Sequence, residues 1–183
     1  PPAAPGAPEA IELPDAANAA GKSFEAVVTT NCGELTFALD GERAPQAVAS
    51  FVELAERSFY DDSPCHRLLA STNVVLQCGD PTGTGTGGPG YKFDDEISPD
   101  KDFTKPYVLA MANAGTRFGK GTNGSQFFIT VAPTTWLQGK HTIFGKVKDQ
   151  ASIDVVDKIA AAATGAQDRP LEDIVVNSIE IIK

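Results

Sequence analysis

The 183-residue sequence predicts a mainly β fold: a closed eight-stranded antiparallel β-barrel capped by two α-helices. Three observations carry this expectation. From residue 23 onward, short runs alternate apolar and polar residues, the pattern of half-buried strands. The runs are joined by brief Gly-, Asn- or Asp-containing connections. Only two stretches show the wider spacing of an amphipathic helix.

"SFEAVVTTNCGELTFAL" reads as two strands around a turn at Asn31–Gly33, and "APQAVASFVELAERSF" as a helix. Pro45 falls near the first turn of that helix, where its missing N–H costs nothing; Val48, Phe51, Val52, Leu54 and Ala55 form the apolar stripe. "CHRLLASTNVVLQCGD" gives two short strands around a polar loop, and "DPTGTGTGGPGYKF" a Gly-rich loop. "YVLAMANA", "SQFFITV" and "HTIFGKV" are three more strands. "SIDVVDKIAAAA" is the second helix, capped by Ser152 or Asp149. "EDIVVNSIEII" closes the barrel with Val175, Ile179 and Ile181 alternating.

Residues 1–22, "PPAAPGAPEAIELPDAANAAGK", have linker composition and are expected to be a flexible tail before one domain at 23–183. Such an opening reads either as the stub of a longer chain, after a signal or membrane anchor, or as an ordinary disordered terminus. The net charge of −9 disfavours a nucleic-acid binder and attraction to an anionic membrane. No apolar run approaches the ~18 residues of a membrane helix. The three cysteines form no C-x-x-C, and with two His they make a poor metal set. "GTGTGG" lacks the Lys-Ser/Thr of a phosphate loop. Cys65 and His66 are neighbours that would face opposite ways on a strand, so they make no nucleophile–base pair.

"SQFFITVAPTTWLQGKH" is less ordinary. Alternation puts Phe127, Ile129 and Val131 on the core face, and Gln126, Phe128 and Thr130 on a face expected to be solvated. An aromatic beside an amide, followed by Trp136, Leu137 and His141, suggests a groove there. The remaining candidates are non-ionising or permanently charged: Arg67, Gln77 and Asn113. His66, opposite Arg67, is expected to be structural, with a backbone hydrogen bond.

"HR", "LQCGD", "AMANAG", "TNGSQFFIT", "WLQGKH" and "IFGKV" occur in the order and spacing of the cyclophilins, and over about residues 24–183 the chain resembles these peptidyl-prolyl cis–trans isomerases. The resemblance implies catalytic roles for Arg67, Gln77, Asn113, Gln126, Phe128 and His141. It implies substrate contacts from Val74, Val75, Ala112, Ala114, Trp136 and Leu137. It further implies a groove on the outer wall of a packed barrel and proline-containing peptides or unfolded proteins as partners. Cyclosporin A is the expected inhibitor; no cofactor or metal, and a monomer, are also expected. The alternative is a proline-peptide-binding or chaperone-like module with little activity.

Four departures from the family pattern stand out. The Arg67–Gln77 stretch is two residues longer than usual, with Val74 where a groove-lining Phe is typical and Val75 where Met follows. "GTRFGKG", between Ala114 and Thr122, is about four residues longer and adds Arg117, Phe118 and Lys120 beside the groove. Cys65 and Cys78 replace an aromatic and a Gly. Some secreted or membrane-anchored bacterial cyclophilins are similar in their cysteines and longer loop, which favours an extracytoplasmic location over a cytoplasmic one. If Arg67 and Gln77 share the groove face, strand parity puts Cys65 on it and Cys78 on the other. The expected disulfide is therefore Cys32–Cys65, with Cys78 free and buried.

Overall fold

The computed structural model describes residues 11–69 and 75–183. Strands β1 (Ser23–Thr30) and β2 (Gly33–Asp40) form the expected hairpin, in register from Ser23↔Asp40 to Thr30↔Gly33. Their alternation buries Phe24, Ala26 and Val28 with Leu35, Phe37 and Leu39. Helix α1 (Pro45–Glu56) buries the predicted stripe. It has no capping side chain of its own; instead the Glu96 carboxylate accepts from the N–H groups of Gln46 and Ala47, both at 2.9 Å.

Then come β3 (Ser63–Pro64), β4 (Arg67–Leu68), β5 (Val75–Cys78), β6 (Val108–Met111), β7 (Phe127–Thr130) and β8 (Ile143–Val147). Helix α2 (Gln150–Ala160) and β9 (Val175–Ile182) complete the fold. Asp149 caps α2, accepting from the Ser152 N–H at 2.9 Å, while the Ser152 hydroxyl accepts from the Thr36 N–H.

The strands make one nine-stranded sheet in the order β3-β9-β1-β2-β8-β6-β7-β5-β4. This corrects the closed eight-stranded barrel. The extra strand is β3, which pairs with β9, whereas β4 pairs with β5 at the far edge. Pro64 and Arg67 are three residues apart, and three residues span at most about 10 Å. The sheet therefore curls until its edges nearly meet, with no ladder across the seam among the described residues. Phe37, Phe51, Tyr60, Phe127 and Phe144 fill the interior, with ring centroids 5.2–6.3 Å apart.

Residues 11–22 lie against the domain. The Ile11 N–H donates to Pro89 O, the Gln46 amide to Pro14 O, and Ala19 is buried beside α1.

Candidate active site

Sheet register alone assembles most of the candidate residues. Arg67 on β4 lies opposite Gln77 on β5, Gln77 opposite Phe128 on β7, Phe128 opposite Ala110 on β6, and Ala110 opposite Ile143 on β8. Directly paired residues share a face. These five therefore form one lateral row on the outer side of the sheet, grading from cationic to amide to apolar.

The apolar end is covered. Phe128 is 3% exposed, stacked on Phe103 at 6.1 Å and met edge-on by His141 at 5.1 Å. Phe103, Ala110, Phe128 and Ile143 make a small core of their own, with Leu69, Ala112 and Leu137 against its margin. The expectation of a solvated face is corrected at Phe128, and at Thr130, which is fully buried with its hydroxyl accepting from the Val108 N–H. Phe103 is held by its carbonyl on the Thr134 N–H and its N–H on the Gln138 amide oxygen. The 3₁₀ turn Thr135–Leu137 leaves Trp136 exposed and Leu137 half-buried. His141 is pinned by its Nδ1 donating to Met111 O at 2.9 Å.

The polar end is a relay. Gln77 Nε2 donates to Gln126 Oε1 (2.9 Å), and Gln126 Nε2 donates to Gly85 O and Gly87 O (both 3.0 Å). The Gly-rich loop carrying those carbonyls is wound around Asp80. One Asp80 oxygen accepts from the N–H and hydroxyl of Thr82; the other accepts from the N–H groups of Gly85 and Gly87 and the Thr84 hydroxyl. Burial would raise the Asp80 pKa, but these donors outweigh it and hold the carboxyl below its ordinary value.

Asn113 splits its functions. Its side chain is committed, donating to Asp95 and Lys140 O and accepting from the Gly115 N–H. The N–H of Ala112 is taken by Gln126 O and that of Ala114 by Thr122. Among the described residues, nothing in the protein uses the Asn113 N–H or C=O.

Arg67 is half exposed, and its Nε lies 3.6 Å from the Asp168 carboxylate. Gln167 and Asp168 both have left-handed backbones, φ 60° and 58°, strain that this contact accompanies. Beside Arg67, His66 is half-buried and burial lowers its pKa. Its Nδ1 has no partner among the described residues, so the expected backbone bond is not there.

The cysteine expectation is overturned. The bond is Cys65–Cys78, and the free thiol is Cys32, half-buried in the first hairpin turn. Cys78 faces inward, as parity with Gln77 requires. The error lies at Cys65: residues 65–66 cross the seam outside any strand, with the Cys65 N–H on Ile174 O, so alternation from Arg67 does not reach back to it. Cys65 turns inward too, and both cysteines are buried in the main core, on the side of the sheet opposite the row.

Val74 lies outside the described residues; Val75 opens β5, paired with Thr130. Sequence reasoning missed Asp80, Phe103 and Asp168. Only Asp80 carried a signal, as an Asp leading a Thr/Gly run, the signature of a side chain that organises a turn.

The packed, curled sheet thus carries on its outer wall a small apolar cluster, an amide relay and the guanidinium of Arg67 in one row. The family model for cyclophilin type peptidyl-prolyl cis–trans isomerases matches residues 26–181. The chain belongs to that family, whose members interconvert the cis and trans forms of X–Pro bonds. It is similar to peptidyl-prolyl cis-trans isomerase B of Streptomyces anulatus, 49% identical over 172 residues, covering 85% of this chain and 95% of that protein. A probable peptidyl-prolyl cis-trans isomerase A of Mycobacterium leprae is 48% identical over 171 residues, covering 85% and 91%. A solved cyclophilin from Cryptosporidium parvum superposes with a TM-score of 0.80 at 32% identity, covering 88% of this chain and 99% of that one. A second structure of that protein, in the presence of the dipeptide Ala-Pro, gives 0.79 at 33% identity, covering 87% and 99%.

Proposed function

We propose that X–Pro bonds are isomerised along this row, with each residue in a distinct role. The proline ring rests on the cluster floored by Phe128 and rimmed by Leu137 and His141. The free N–H and C=O of Asn113 and the Gln77–Gln126 pair hold the flanking chain. Arg67 donates to the prolyl nitrogen.

The chemistry suits such groups. Rotation breaks amide resonance across a barrier of ~18–20 kcal/mol. No bond is made or broken, so neither nucleophile nor acid–base pair is required. The nitrogen lone pair localises only when the bond is twisted, and a permanently charged, donor-only guanidinium stabilises it then. Acceleration of ~10⁴–10⁵-fold needs roughly 5.5–7 kcal/mol. One charged hydrogen bond contributes about 1.5–3 kcal/mol. The clamp must therefore favour the twisted state as well.

The in-register row Arg67–Gln77–Phe128 carries this reading. A protease-coupled assay on an Ala-Pro peptide tests it. Arg67→Ala should lower kcat/KM about 10- to 150-fold, the worth of that one bond, with an unchanged melting curve. Near-wild-type turnover would remove Arg67 from the mechanism. Cyclosporin A is expected to occupy the same groove and inhibit the same assay, with the chain acting as a monomer. An extracytoplasmic home, in the manner of secreted or membrane-anchored bacterial cyclophilins, is supported by the Cys65–Cys78 bond, since such bonds persist in oxidising compartments.

A further inference from the structure

Past Gln126, on the side away from Phe128, the groove continues into a pocket of about 570 Å³. Its walls include Gln77, Gln126 and Asn113 from the row's polar end, two cations, Lys92 and Arg117, and no carboxylate. This runs against composition, because the chain has 24 acidic residues to 15 basic ones. Neither cation is ion-paired among the described residues. The carboxylates of neighbouring segments accept from other donors: Asp80 from its loop, Asp94 from the Gly121 N–H, Asp95 from Asn113 and Asn123.

Both cations are placed by local structure. A Cβ built on Gly124 would lie 3.1 Å from Lys92 Nζ, so the ammonium lies directly over that glycine in the pocket wall. Arg117 opens the inserted hairpin, exchanging two backbone hydrogen bonds with Lys120 (2.8 and 3.0 Å). Phe118 and Gly119 at its tip both have positive φ, 52° and 74°, as a tight two-residue hairpin turn requires. The turn leaves Phe118 fully exposed and Arg117 lining the pocket.

We infer that this pocket selects proline peptides bearing an acidic side chain two or three residues from the proline. The inference rests on the isomerase reading of the groove. Gln126 is two strand residues from Phe128, about 6.6 Å, so a peptide lying along the groove reaches the pocket at that separation. A carboxylate there meets two unpaired cations, whereas an ammonium is repelled.

The test measures kcat/KM for paired peptides with Glu or Lys at the second and third positions on either side of the proline. At one of these positions Glu should exceed Lys by about tenfold at low ionic strength, the ratio shrinking toward one in molar salt. Lys92→Glu/Arg117→Glu should invert it. The ratio is internal to each preparation, so partial unfolding of a variant does not mimic its loss. Equal rates for Glu and Lys at every position would overturn the selectivity while leaving the isomerase reading intact. A preference that survives the double charge reversal would overturn the assignment to these two residues. Failure to accelerate any of the peptides would overturn the isomerase reading and this inference with it.

Discussion

Asp80→Asn should disable the glutamine relay although residue 80 lies outside the row. The carboxylate accepts five hydrogen bonds from the loop it organises, three of them from backbone N–H groups. An Asn amide accepts at one end only. Its best orientation turns the oxygen toward Gly85 and Gly87 and leaves the Thr82 N–H facing an NH₂, a buried orphan that costs about 1–3 kcal/mol. The two backbone N–H bonds retained, alongside the longer one from the Thr84 hydroxyl, lose their charge assistance, about 1 kcal/mol each by the difference between charged and neutral acceptors. The total is roughly 3–5 kcal/mol. As the loop loosens, Gln126 loses both carbonyl acceptors and Gln77 its fixed partner. The variant should unfold at lower urea, and kcat should fall about five- to tenfold, one neutral hydrogen bond's worth, with KM changed less. Urea titration followed at Trp136, beside the coupled assay, reads both. A variant with the wild-type midpoint and wild-type kcat would refute the relay. Acid should produce the same loosening in the parent chain. The Asp80 pKa is depressed on folding, so its stabilisation is complete above the unfolded value near 3.9. It drains away as pH falls through the lower folded value.

Reduction of Cys65–Cys78 should lower stability by about 3 kcal/mol for a loop of this size. Thiol labelling of unfolded, unreduced protein should modify Cys32 alone, and label at Cys65 or Cys78 would disprove the bond. His66 is held neutral by burial, its folded pKa below the unfolded value of about 6.5. Stability should therefore begin to fall as pH drops below that value, and His66→Gln should flatten this part of the profile. An unchanged slope in the variant would show that another group is responsible.

Where backbone alternation persisted, the sequence was a good guide. Arg67, Gln77 and Phe128 were assigned to one face from alternation and family motifs, and register places them side by side. Alternation gives a direction but not an exposure, and so Phe128 was expected in solvent. Its cover, Phe103, sits in an irregular loop whose path is set by tertiary hydrogen bonds to residues 134 and 138. Parity failed at Cys65 for a related reason: two residues outside any strand separate two edges of the sheet, and a periodic rule carries no information across them. Asp168 and Glu96 escaped notice because each acts at a distance in sequence. Asp168 reaches Arg67 across about a hundred residues, and Glu96 caps a helix that starts fifty residues earlier.

The seam has a further consequence. A protein that holds extended chains continually meets segments able to add themselves to a sheet, and an open sheet offers a template for them. Here the two edges, Ser63–Pro64 and Arg67–Leu68, are two residues long each. One carries a proline without an N–H, and the other a charged side chain; both features discourage a strand from docking. The eight-residue β1 is paired on both sides along most of its length, and β9 meets β3 at Val175 and Val176. Those two edges thus offer an incoming strand little to pair with.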